Sequence, residues 1–137
     1  MNFELTEEQI AVRDAAREFA QTELLPGVIE RDDKQEFPAE QIKKMGELGF
    51  MGMMVDPKYG GGGMDTVSYV LAMEEISKID ASASVCMSVN NSLVCWGLEK
   101  FGTEPEEIYS EIGSGLSDSR KKYLKLIGEI VSGQVGT

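Results

Sequence analysis

At 137 residues the chain has room for one domain with its own core, and its 42% hydrophobic content is that of a globule rather than of a disordered chain. Its formal charge of −11, from 24 carboxylates against 13 cations, repels nucleic-acid phosphates and anionic lipid headgroups. No apolar run reaches the roughly 18 residues that a spanning helix needs, and Met1-Asn2-Phe3-Glu4 lacks the basic and apolar regions of a secretory signal. The expectation is a soluble cytoplasmic protein with no nucleic-acid or membrane partner.

Histidine is absent. This removes the usual general base at neutral pH, the Ser-His and Cys-His nucleophile pairs and most transition-metal sites. Proton transfer here requires a carboxylate or a tyrosine. Cys86 and Cys95 fall on one helix about 180° apart at roughly 100° per residue, so they cannot pair with each other. Two free thiols fit a reducing compartment.

The elements follow in chain order. Thr6-Glu7-Glu8-Gln9 has the capping-box pattern, with Leu5 and Ile10 at hydrophobic-staple positions, and opens a first helix. Val12, Ala15, Ala16, Phe19, Ala20 and Leu24 repeat at three-to-four spacing as one buried stripe ending before Pro26. Residues 30–37 read as a charged connection. Pro38 suits the first turn of a second helix in which Ile42, Met45 and Leu48 face one way and Gly49 provides the stop. Residues 50–55 are too short a run to classify, and Asp56-Pro57-Lys58-Tyr59 with residues 60–63 reads as turn and loop.

Asp65 caps a third helix whose apolar positions Val67, Val70, Leu71, Met73 and Ile76 cover a broad arc, as expected of a helix buried on two sides. Asp80 caps a fourth that runs to Phe101 and stops at Gly102, with Val85, Val89, Leu93 and Trp96 as its main packing edge. Thr103-Glu104-Pro105-Glu106 is a second capping box, opening a short helix to about Ile112. Gly113-Ser114-Gly115 interrupts it. A last helix over 117–131 carries Tyr123, Leu126, Ile127 and Ile130 on one side. With no strand alternation, the pattern predicts an all-α bundle of five or six helices.

Phe50-Met51-Gly52 with Tyr59-Gly60-Gly61, then Ser68-Tyr69 and Met73-Glu74-Glu75-Ile76-Ser77, then the long helix ending in Phe101-Gly102-Thr103-Glu104, resemble the acyl-CoA dehydrogenase family. Leu5-Thr6-Glu7-Glu8-Gln9 and Glu30-Arg31-Asp32 fit the same pattern. The likeness covers about the first hundred residues and is nearest the short-chain, butyryl-type branch.

That resemblance implies a three-domain flavoprotein in which a glutamate takes the α-proton of an acyl-CoA thioester while FAD takes hydride from the β-carbon. Electrons then pass to an electron-transferring flavoprotein. The catalytic glutamate and most FAD contacts belong to the middle and C-terminal domains. For this chain it therefore implies an N-terminal helical domain with no catalytic, cofactor-binding or metal residues. It further implies that the helix over 80–101 lines the far end of the acyl cavity, with Met87, Ser88, Val89, Asn91 and Ser92 as pocket-lining candidates.

The pattern departs from the family after Glu104. Lys122-Tyr123-Leu124 and Val131-Ser132-Gly133 resemble the expected continuation, but residues 105–118 are inserted ahead of them. This divides the chain into residues 1–104, family-like, and an atypical helical extension over 105–137 that packs on the same domain. An engineered terminus, divergence and a truncated reading frame all fit that departure.

Other features have plainer readings. The four-glycine loop before Asp65 is a tight turn rather than a phosphate cradle, since no Lys-Ser/Thr follows and Asp65 sits where phosphate would. Met45, Met73 and Met87 fill the core. Asp32-Asp33, Glu74-Glu75 and Glu106-Glu107 read as solvated charge. The stripe Ser84, Ser88, Asn91, Cys95 either makes internal hydrogen bonds or borders a cavity, and the resemblance favours the cavity. Three functions remain: a family N-terminal domain inactive alone, which self-associates or docks to the missing domains; a rearranged bundle without catalysis; or a small subunit completing a flavoenzyme in trans.

Overall fold

The computed structural model describes residues 3–101, and every regular element among them is helical. The features expected over 102–137 lie outside the described residues.

Helix α1 (Glu7–Phe19) begins as expected. Thr6 Oγ1 accepts from the Gln9 amide at 3.2 Å and Gln9 Oε1 accepts from the Thr6 amide at 3.0 Å, closing the capping box. One wider π turn, Ala20–Leu24, continues the helix, with the Leu25 amide donating to the Ala20 carbonyl. The buried stripe is Ala16, Phe19, Ala20 and Leu24, while Ala15 is exposed.

Residues 30–37 are not a simple connection, because Val28–Lys34 forms helix α2. It buries no residue, so no apolar period announced it. Arg31 fastens it instead, donating to the carbonyls of Pro26 (2.9 Å) and Leu24 (2.7 Å) and to Asp80 Oδ2 (3.2 Å). Helix α3 (Ala39–Glu47) follows Pro38, and Gly49 turns the chain at φ 84°. Met45 is fully buried as expected, but Leu48 is exposed. The helix has ended by Leu48, which sits at ψ −2° and no longer follows the Ile42–Met45 face.

The 3-10 turn Phe50–Gly52 is buried throughout, and the Phe50 ring lies 5.7 Å from that of Phe19. The glycine segment is strapped beside it by amides of Gly62, Gly63 and Met64 donating to the carbonyls of Gly52, Val55 and Met53. Gly61 must be glycine here, since a Cβ would lie 2.2 Å from the Val55 carbonyl oxygen.

Asp65 accepts from the Ser68 amide at 2.7 Å and starts helix α4 (Thr66–Ser77), which packs most extensively against α1. Its buried side is Ser68, Tyr69, Ala72, Glu75 and Ile76, whereas Val67 and Val70 face outward. Helix α4 is packed against both α1 and α5, as the broad arc predicts, but the β-branched valines lie on the remaining exposed arc.

Helix α5 (Ala81–Val89), capped by Asp80 accepting from the Ala83 amide, runs through the π turn Asn90–Cys95 into α6 (Trp96–Phe101) as one rod. The expected packing edge is reversed. Val85, Val89, Leu93 and Trp96 are 61, 43, 68 and 53% exposed, while Ala83, Ser84, Met87, Asn90, Asn91 and Cys95 face the core. Met45, Met73 and Met87 do join the core. Both cysteines are free; Cys95 is buried and Cys86 half-buried.

Glu75 is not solvated charge. It is buried and takes two hydrogen bonds of 3.0 Å from Arg17 and one of 2.8 Å from Lys78. The Arg17 guanidinium, then the Lys78 ammonium, hold its carboxyl down from 4.5 to about 2. A carboxyl depressed on folding stabilises the native state fully above its unfolded value and loses that contribution as pH falls through its folded one. Thermal melts should therefore show stability declining between pH 4.5 and about 2. Glu75→Gln should start about 1–3 kcal/mol less stable at neutral pH and decline less across that window.

Candidate functional site

The five pocket-lining candidates do not share a face. Met87 and Asn91, one turn apart, point into the core at 0 and 2% exposure. Ser88 is half-buried and Ser92 exposed, with Ser92 Oγ donating to the Ser88 carbonyl at 2.6 Å. Val89 belongs to the exposed apolar edge with Val85, Leu93 and Trp96.

The polar stripe divides in the same way. Ser84 is buried with its hydroxyl against that of Ser77, and it also reaches Met73 Sδ at 3.9 Å. Asn91 uses its whole carboxamide: Nδ2 donates to the carbonyls of Phe50 (2.9 Å) and Met87 (3.0 Å), and Oδ1 accepts from the Met53 amide (2.9 Å). Asn90 Nδ2 donates to the Met51 carbonyl at 2.6 Å. Two consecutive asparagines within a helix are intrinsically unfavourable, and that was the signal in the sequence for this grip. The π turn brings both carboxamides against residues 50–53, a use of such bulges that accords with their recurrence where a helix must aim side chains. Burial pushes the Cys86 and Cys95 thiols upward, so neither is primed as a nucleophile.

The loop amides and three of the cations are committed within the fold. The glycine-loop amides already donate to backbone carbonyls. Arg17 and Lys78 are held by Glu75, and Arg31 by Asp80 and two carbonyls. Among the described residues there is no cluster of three or more acidic or cysteine side chains able to hold a metal, and no helix long and apolar enough to cross a membrane.

Residues 6–107 match the family model described as acyl-CoA dehydrogenase, N-terminal domain. The chain is 42% identical over 107 residues to a short-chain specific acyl-CoA dehydrogenase of Clostridium acetobutylicum, covering 78% of this chain and 28% of that one. It is 47% identical over 104 residues to the mitochondrial short-chain specific enzyme of Bos taurus, covering 76% and 25%. Butyryl-CoA dehydrogenase from Megasphaera elsdenii superposes with a TM-score of 0.74 at 32% identity, over 97% of this chain and 31% of that chain. The chain thus spans about a quarter of the length of the curated relatives it matches.

Removing the Asn91 carboxamide takes its hydrogen bonds from the buried Phe50 carbonyl and Met53 amide, while the Met87 carbonyl keeps the Asn90 amide. Asn91→Ala should lower unfolding stability in urea by about 1–3 kcal/mol, whereas Ser92→Ala on the surface should stay within about 0.5 kcal/mol.

Proposed function

The chain belongs to the acyl-CoA dehydrogenase family through its N-terminal domain, and from that premise we propose that it supplies the helical wall of an acyl-binding cavity in a short-chain acyl-CoA dehydrogenase-type flavoprotein. The supporting observation is the outward face of α5 and the π turn that continues it. Ser88 and Ser92 present small side chains there, backed by Met87 and by Asn91, whose carboxamide fixes the helix against residues 50–53. Small residues on a rigid rod leave room for an acyl chain, and Val89 stands at the apolar margin of that face. A cavity wall needs shape and rigidity more than reactive groups.

The chemistry belongs to parts that this reading assigns elsewhere. FAD supplies hydride acceptance when bound, a carboxylate outside residues 3–101 takes the proton, and electron-transferring flavoprotein is a partner of the complete enzyme only. Within this chain Ser88, Val89 and Ser92 exclude water and limit acyl length, while Met87 and Asn91 hold them in place.

Two measurements test it. Purified protein mixed with FAD and a short acyl-CoA should emerge from gel filtration without a flavin band and show no bleaching; a retained yellow cofactor or thioester turnover would overturn the division of labour. Residues 1–104 grafted in place of the matching part of the Clostridium acetobutylicum enzyme should yield an active chimera. Ser88→Phe in that chimera should lower kcat/KM for the longer acyl chains by about 10-fold or more and spare the shortest. An unchanged length profile would remove Ser88 from the wall.

A further inference from the structure

Leu24 and Pro38 are both buried, but between them none of residues 25–37 reaches the core. Leu25, Ile29 and Phe37 are exposed, and α2 packs extensively against no other described element. A helix of seven residues is too short to hold its shape in water without such packing. What closes the segment onto the bundle is Arg31, whose guanidinium donates to the Leu24 and Pro26 carbonyls and to Asp80 Oδ2.

Left-handed backbone marks both ends of the segment. Gly27 enters α2 at φ 76° and Gln35 leaves it at φ 53°. Among the described residues Gln35 alone takes a positive φ without being glycine, a conformation that strains any residue carrying a Cβ. The Gln35 and Glu36 amides donate to the Asp32 and Arg31 carbonyls, so this last turn belongs to α2 and opens with it. Pro38 belongs to α3, its carbonyl accepting from the Ile42 amide.

We propose that residues 27–36 form a latched strap, which lifts and unwinds as one unit from the folded bundle when Arg31 leaves Asp80. The strap is one wall of a cleft of about 640 Å³ whose opposite wall includes Ile79, Ala81 and Ser82 at the start of α5. Lifting it uncovers that end of α5 and frees Asp80 Oδ2, while Oδ1 keeps the Ala83 amide and so the cap of α5. Arg31 Nε is buried and meets no acceptor among the described residues. Opening returns that donor to water, which offsets part of the loss of the other bonds. The core keeps its packing, because α2 contributes no buried side chain to it. None of this depends on the acyl-cavity reading, since strap and latch lie apart from Ser88, Val89 and Ser92.

Hydrogen exchange on the full chain tests the strap. In the unmodified protein the Arg31, Gln35 and Glu36 amides should exchange through an opening that urea barely accelerates, because lifting the strap exposes little surface. Amides of α1 and α4 should instead show the steep urea dependence of global unfolding. Arg31→Ala should speed exchange at Gln35 and Glu36 by about 10-fold or more, with the strap's urea slope still shallow and the core's still steep. Gln35→Gly removes the left-handed strain without touching the latch and should slow strap exchange several-fold. One common urea slope for strap and core amides in the unmodified protein would overturn the proposal, since the segment would then open only with the whole domain. Strap exchange unchanged by Arg31→Ala would overturn it as well, by removing Arg31 as the latch.

Discussion

The Asn91 carboxamide is the junction on which the arrangement of the chain rests. It ties the long rod to both ends of the Phe50–Met53 segment and to the preceding turn of its own helix. That segment in turn receives the glycine-loop amides, and the glycine loop delivers Asp65 to the start of α4. A buried amide with every donor and acceptor used is more specific than apolar contact, because a shift of the rod along its axis leaves unpaired polar groups in the core. The π turn allows this. A regular helix would carry the two adjacent carboxamides about 100° apart, whereas here both address the backbone of residues 50–53.

A second ionic layer fixes the other side of the bundle. Glu75 joins α1 to α4 through Arg17, and Arg31 joins α2 to the start of α5 through Asp80. Asp80 serves two purposes at once, since Oδ1 caps α5 through the Ala83 amide while Oδ2 receives Arg31. Position and helix initiation are thereby linked in one residue. Helix α2, without a buried side chain, depends on that linkage for its place.

Much of this was legible in the sequence, and the parts that were not share a cause. Caps are local, so Thr6, Asp65 and Asp80 could be read from residue type and spacing alone. The core methionines and the all-α class followed from helical period. The inner face of α5–α6 did not, because the reading placed branched aliphatics inside and polar residues at a border. Close helix packing selects small residues instead, and Ala83 and Ser84 lie on the side packed against α4 while the valines are left outside. The same bias hid α2, which lacks an apolar stripe, and misjudged Glu75, whose bidentate partner Arg17 comes from α1, far away in sequence. For the candidate residues of α5 and the turn after it, sequence could not divide support from surface, since that division depends on a π turn no local pattern announces.

The reversal of α5–α6 also changes what its outward residues mean. Had Val85, Val89, Leu93 and Trp96 formed the packing edge, the small polar residues would have been the exposed face and the surface of the rod would be mostly wet. With the carboxamides and the alanine inside, the rod presents two adjacent outward strips of different character, one of serines and one of large apolar groups. The first can border a space without filling it, because a serine whose hydroxyl returns to its own backbone, as Ser92 does to Ser88, presents little demand for water. The second gains free energy only when covered, at about 25 cal/mol per Å² of apolar surface removed from water. The buried asparagines set the rotation that separates the two strips.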